Sequence, residues 1–81
     1  MGMKRKDALK RLKGFAIQVE YHLEKMAANP ENREIHHWKR EVRGLLLQME
    51  WLLPQIGRKT GTEWENTIAA WKVEMEQFND D

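Results

Sequence analysis

Apolar residues recur at alternating intervals of three and four along most of the chain, which is the period of one face of an α-helix. Three segments carry the pattern: Leu9, Leu12, Ala16, Val19, Leu23 and Met26; then Ile35, Trp38, Val42, Leu45, Met49, Leu52 and Ile56; then Trp64, Ile68, Trp71, Met75 and Phe78. These patterns do not indicate a strand, a low-complexity stretch or an internal repeat. The sequence therefore predicts three helices, at about 4–28, 31–53 and 63–78, in a single domain spanning 1–81.

Short polar segments separate the periodic ones and supply helix-start signals. Asn29 can cap the second helix with its side-chain oxygen, and Pro30 fits a first helical turn, where its missing N–H costs nothing. Thr62 and Glu65 match the capping box that satisfies two backbone amides at the start of a helix. We therefore expect the second helix to begin after Asn29 and the third after Thr62.

Pro54 lies where the second helix should stop. It cannot donate a helical hydrogen bond, and its ring clashes with the preceding turn. We expect an end near Leu53, followed by a loose extra turn to Gly57. Because short connections make neighbouring helices antiparallel, the sequence predicts an all-α, up-down-up three-helix bundle with coiled-coil-like packing.

The residue inventory argues against most catalytic sites. The chain has 81 residues, no cysteine and no serine, and it has no glycine-rich phosphate loop and no paired-histidine metalloprotease helix. We therefore expect no enzyme activity and no cofactor. The longest apolar run, Ile68 to Trp71, is far shorter than the roughly 20 residues of a membrane span, so we expect a cytoplasmic protein that does not enter membranes.

A family resemblance covers about a third of the chain. It is carried by His22-Leu23-Glu24-Lys25, Pro30-Glu31, Arg33 and Trp38. These residues resemble the motif of a helical family that is common in cyanobacteria, number twenty-nine in the series of domains of unknown function. The resemblance implies a helical fold and no particular activity.

Histidines concentrate around the predicted turn between the first two helices. A hairpin there would bring His22 level with His36 and His37, with Glu41 one turn beyond. Two imidazoles and a carboxylate from facing helices can hold zinc or nickel. However, His36 and His37 fall outside the apolar stripe, so we expect them to face solvent and predict no metal site. His37 and Glu41 should form a weak pair across one helical turn.

The charge is unevenly distributed although the net charge is only +1. Residues 1–13 carry six cations against Asp7, a net of +5, and residues 60–81 carry six acids against Lys72, a net of −5. The bundle should add two further cations from the start of the third helix to the basic end. The candidate phosphate-binding set is Lys4, Arg5, Lys6, Lys10, Arg11, Lys13, Arg58 and Lys59. Because no sequence-reading motif is present, this set would support only nonspecific nucleic-acid binding.

A second apolar face is the other candidate for a binding surface. On the second helix Leu47 lies nearly opposite the core stripe and Trp51 roughly 120–150° from it, and Ile17 and Tyr21 likewise lie outside the core stripe of the first. A three-helix bundle covers only one side of each helix. The sequence therefore predicts a non-enzymatic protein-interaction module, a homodimer or an assembly subunit, that docks through these four residues. The alternatives are that Trp51 is part of the core of a central second helix, and that the chain acts as a nucleic-acid-associated protein.

Overall fold

The computed structural model describes residues 4–78 and is helical nearly throughout. Its elements are α1 (Arg5–Ala28), α2 (Ile35–Leu52), a 3₁₀ turn (Leu53–Gln55) and α3 (Arg58–Glu76). The end of α1 contacts the start of α2, and the start of α2 contacts the end of α3, so α2 is antiparallel to both neighbours. The all-α three-helix bundle predicted from the sequence is confirmed, and residues 4–78 contain no strand. No helix in this part of the chain combines the length and the apolar character needed to cross a bilayer.

The core lies along the line where the three helices meet. Its buried side chains are Ala8, Leu12, Ala16, Val19, Leu23, Met26, Ile35, Val42, Leu46, Met49, Leu52, Leu53, Ile56, Ile68 and Met75. Bulkier residues close its edges and are half-buried: Leu9, Phe15, Trp38, Leu45, Trp64, Trp71 and Phe78. The predicted stripe of α1 is therefore nearly the observed one. Trp64 and Trp71 of α3 pack against the edge of the core and are only partly buried.

On α2 the buried stripe is turned toward α3 relative to the prediction. Leu46 and Lys39 are buried, whereas Trp38 and Leu45 are only half-buried. The cause is the central place of α2, which packs against α1 on one side and α3 on the other and so needs a wide buried arc. Lys39 belongs to this arc because its ammonium reaches a backbone carbonyl at the end of α3.

The connection between α1 and α2 is longer than the sequence predicts, because α2 begins at Ile35 and not at about residue 31. Asn29 ends α1: its backbone N–H donates to the carbonyl of Lys25. Its own carbonyl accepts the N–H of Asn32 at 3.1 Å, which closes a turn with Pro30 at the second position, a place proline favours. The side-chain oxygen of Asn32 then accepts the N–H of Glu34 at 2.8 Å. The cap predicted at Asn29 is therefore not formed: Asn32 makes a side-chain turn ahead of the helix, and the N-cap residue of α2, Glu34, has no side-chain capping bond.

The start of α3 also differs from the prediction, because the helix begins at Arg58, before the expected capping box. Gly57 has φ of +90°, which lets the chain reverse directly after the 3₁₀ turn. The Thr62 hydroxyl is left inside the helix, where it donates to the Arg58 carbonyl at 2.9 Å and caps nothing. The end of α2 follows the prediction: the helix stops at Leu52, and the extra turn is the 3₁₀ segment that contains Pro54.

Candidate interaction surfaces

The outer face of α2 presents two large apolar side chains to solvent. Leu47 is 60% exposed and Trp51 is 79% exposed. Leu47 lies about one turn and Trp51 about two turns along the helix from Gly44, and a side-chain carbon added at Gly44 would meet nothing within 4 Å. Because the core side of α2 is already filled by Val42 and Met49, Trp51 is not a core residue, and that alternative is excluded. This face is called the α2 stripe below: Gly44, Leu47, Gln48 and Trp51.

The outer face of α1 has the same character. Ile17 is 70% exposed and Tyr21 is 57% exposed, and the space above Gly14 is open. The ammonium of Lys25 lies 4.8 Å from the centroid of the Tyr21 ring and 4.8 Å from that of Trp38, so it bridges this face and the groove toward α2. This face is called the α1 stripe: Gly14, Ile17, Gln18 and Tyr21.

The four predicted interface residues thus form two surfaces. Within each helix the aliphatic and the aromatic side chain are one turn apart, so the structure brings each pair together. The two pairs lie on the outer sides of different helices, and the groove between those helices is occupied by the hydrogen-bonded side chains of His22 and Glu41. The surfaces are therefore separate, and one small ligand could not contact both.

The two stripes are copies of one pattern that the periodicity of the sequence hides. Residues 10–23 and 40–53 align at an offset of 30 without a gap. Gly14, Gln18, Glu20 and Leu23 recur as Gly44, Gln48, Glu50 and Leu53, and most other pairs are of one type, as in Lys10 and Arg40, Ile17 and Leu47, Tyr21 and Trp51. Their burial classes also agree, except at 20/50 and 22/52. This short similarity, which the apolar period alone does not indicate, places one pattern on the outer faces of both α1 and α2.

A carboxylate flanked by two imidazoles joins α1 to α2. Glu41 accepts from His22 Nε2 with one oxygen and from His37 Nε2 with the other, both at 3.0 Å. His36 is exposed and takes no part in this cluster. The predicted pair of His37 and Glu41 is present. Among residues 4–78, no group of three or more His, Cys, Asp or Glu side chains is arranged to hold a metal ion.

Burial sets the protonation of His22. Its pKa is lowered from the ordinary value of 6.5, chiefly because burial penalises the charged imidazolium; Glu41 opposes this shift, and Lys25 and His37 add to it. The other ring nitrogen, Nδ1, is buried and has no hydrogen-bond partner in the described part of the chain. The arrangement therefore favours a neutral His22 that donates from Nε2 to Glu41. The cluster therefore acts as a hydrogen-bonded contact that holds α1 against α2.

The candidate phosphate-binding cations gather at the end of the bundle where α1 and α3 begin. All eight are exposed, and none has an ion-pair partner among residues 4–78: Lys4, Arg5, Lys6, Lys10, Arg11, Lys13, Arg58 and Lys59. The Arg5 guanidinium lies over Gly57, 3.3 Å from where a Cβ would be, and so stands beside the first turn of α3. Two positive helix N-termini reinforce these charges. At the opposite end Arg43 pairs with Glu76 at 3.8 Å.

No family model, curated protein or solved structure matches the chain. The resemblance to the family of unknown function therefore stays a prediction.

Proposed function

We propose that this chain is a cytoplasmic, non-enzymatic protein-interaction module that self-associates or serves as a subunit of a larger assembly. The contacts are made by Leu47 and Trp51 on α2 and by Ile17 and Tyr21 on α1. The observation that carries the proposal is the exposure of Trp51, which is 79% open to solvent although the core is closed without it. Tryptophan and tyrosine are the residues that most often anchor protein interfaces.

The distribution of the exposed groups supports the same conclusion. Single exposed apolar residues are ordinary on protein surfaces and need no explanation. Here an aliphatic and an aromatic side chain stand one turn apart, next to a glycine that lets another backbone come close, and the arrangement occurs twice. A glycine inside a helix costs about 1 kcal/mol relative to alanine. Binding of another molecule in the open space above Gly14 and Gly44 would explain why the chain keeps two destabilising glycines inside its helices.

The test is the mass of the protein in solution, with one substitution on each surface. Light scattering from micromolar to millimolar concentration should show association. Trp51→Glu and Tyr21→Glu should each leave the circular dichroism unchanged, because both side chains are outside the core. At least one of them should lower the mass, because the new carboxylate would be buried unpaired in the complex. A wild-type protein that stays monomeric throughout would contradict self-association.

The basic end of the bundle supports a second candidate, a nonspecific nucleic-acid-associated protein. The observation that favours it is the position of Arg5 over Gly57, which joins the cations of α1 to Arg58 and Lys59. Such a cluster suits contacts to phosphates. No element suited to reading bases is found in the described part of the chain, so any binding would follow backbone charge and release counterions.

Salt dependence separates the two candidates. If the cluster contacts duplex phosphates, the logarithm of the binding constant should fall with the logarithm of salt concentration, with a slope of about −0.9 per contact. Arg5→Gln combined with Arg58→Gln should make the slope shallower, and the control Arg33→Gln combined with Arg40→Gln, at the other end of the bundle, should not. An oligonucleotide titration that shows no binding at low salt would eliminate this candidate. Apolar association through Trp51 would respond only weakly to salt.

A further inference from the structure

The two stripes are alike in their apolar residues and differ in the charges around them. On α2, Glu50 is paired with Lys72 at 3.2 Å and Arg43 with Glu76 at 3.8 Å, so both charges are used within the chain. Their counterparts at the offset of 30 are Glu20 and Lys13 on α1. Both counterparts are exposed and have no ion-pair partner among residues 4–78. The α1 stripe therefore has charges beside it that are free to meet another molecule.

These charges are ordered along α1. Lys10 lies in line with the stripe and Lys13 on its flank nearer α3, both in the first half of the helix, and Glu20 and Glu24 lie on that flank in the second half. The other flank has no such order, because Asp7 and Arg11 both lie early and Lys25 is held over the Tyr21 and Trp38 rings of its own chain. An antiparallel copy of α1, related by a twofold axis near Ile17, would therefore place these two lysines opposite the two glutamates.

Resting on the proposed function, we infer that the occupant of the α1 stripe is a second copy of this chain. The two α1 helices lie antiparallel about a twofold axis near Ile17. Lys10 and Lys13 of each copy pair with Glu24 and Glu20 of the other. Such a contact is self-complementary and closes on itself, as a homodimer requires. The α2 stripe has no comparable pattern of free charges, and the surface around it has Arg40 without a free acid to match it.

The apolar residues fit the same arrangement. Gly14 and Tyr21 are nearly equidistant from Ile17, on opposite sides of it along the helix. In the antiparallel pair the Tyr21 ring of one copy reaches the level of Gly14 in the other, where the space above the backbone is open. Ile17 meets its own copy at the axis. The charges set the direction of pairing, and the ring over the glycine lets the helices approach closely.

The experiment is sedimentation velocity of the full chain at low ionic strength, with two charge-reversed variants. Lys10→Glu with Lys13→Glu gives a stripe flanked by acids at both ends, and Glu20→Lys with Glu24→Lys gives one flanked by bases. Neither change opposes the helix dipole, so both variants should fold. Each alone should have its dimer dissociation constant raised by at least about tenfold, because like charges then face each other. Mixed in equal amounts, the two should form a heterodimer.

A control variant makes the same change of net charge as the lysine variant but at the other end of the bundle: Arg33→Glu with Arg40→Glu should dimerise like the wild type. The inference is overturned if the wild type is monomeric, if the two variants dimerise as the wild type does, or if their mixture does not associate. A monomeric wild type would leave only the subunit form of the proposed function, whereas the other two results leave self-association intact. If Trp51→Glu abolishes association while the α1 variants have no effect, the module self-associates through α2 instead. If none of these substitutions changes the mass of an associated wild type, both proposals fail.

Discussion

The ammonium of Lys39 donates a hydrogen bond to the backbone carbonyl of Phe78 at 2.9 Å, and only 3% of Lys39 is exposed. The bond joins the first turns of α2 to the residue that follows the last turn of α3. A cation near the C-terminus of a helix is favoured by the helix dipole. The buried charge is therefore placed where the backbone can stabilise it, and it fixes the end of α3 against α2.

Replacing this lysine should loosen the end of α3. Lys39→Met keeps most of the side-chain volume but leaves the Phe78 carbonyl without this donor, which should cost about 1–2 kcal/mol of unfolding free energy. Amide exchange at Gln77 and Phe78 should become faster, while exchange in the middle of α1 should change less. Arg40→Met is the matched control, because Arg40 is the next residue and is exposed. Equal effects of both substitutions would contradict the assigned role of Lys39.

Acid should weaken the bundle through His22. Because burial lowers the pKa of His22 in the folded chain, the unfolded chain binds this proton at a higher pH than the folded chain does. The contribution of neutral His22 to the unfolding free energy is complete above the ordinary pKa of 6.5. It is lost as the pH falls from there through the lowered pKa. His22→Gln should flatten this part of the curve of unfolding free energy against pH. His36→Gln, an exposed control, should leave the slope as it is in the wild type.

Two neighbouring leucines on α2 should behave in opposite ways. Leu46 is 1% exposed, so Leu46→Ala should lower the free energy of unfolding by about 2–5 kcal/mol, a large share of the stability of so small a domain. Leu47 points to solvent, so Leu47→Ala should change it by about 0.5 kcal/mol or less. Chemical denaturation of dilute protein measures both. Similar losses of unfolding free energy for the two variants would show that α2 is rotated about its own axis, so that Leu47 also faces the core.

Replacing glycine by alanine should have opposite effects on stability at Gly57 and at Gly44. Gly57 has φ of +90° and the Arg5 guanidinium beside it, so Gly57→Ala should destabilise the fold by about 1–3 kcal/mol. Gly44 is helical with open space above it, so Gly44→Ala should stabilise the isolated chain by up to about 1 kcal/mol. Thermal melts of dilute samples test both signs. Destabilisation by Gly44→Ala would mean that its surface is less open than described.

Much of the fold could be predicted from the sequence, because helix number, order and most of the core follow from apolar spacing. The starts of α2 and α3 could not, since each depends on competition between local signals. The turn from Asn29 to Asn32 delays the start of α2, and the reversal at Gly57 starts α3 before the capping box at Thr62. The burial of Lys39 was missed because a lysine is not counted in an apolar period. Its partner, the Phe78 carbonyl, is distant in sequence.

The candidate surfaces were predicted in part. Helix phase alone indicates that Leu47, Trp51, Ile17 and Tyr21 are exposed, and all four are. The angular position of a residue on its helix does not show that the pair on α1 and the pair on α2 are equivalent. It gives the direction of each side chain and ignores the order of residue types along the chain. A direct comparison of the sequence with itself at an offset of 30 would have found Gly14 and Gly44 and, with them, both stripes.

The proportions of the bundle, 42 × 19 × 17 Å, determine what an assembly of it would look like from outside. Two such rods joined side by side along α1 would double in mass while their greatest length stayed close to that of one rod. Joined end to end at the basic pole, across a bound polyanion, they would double in length instead. X-ray scattering at small angles, which measures the longest distance within a particle, would therefore distinguish a helix-to-helix partner from a shared polyelectrolyte without any substitution.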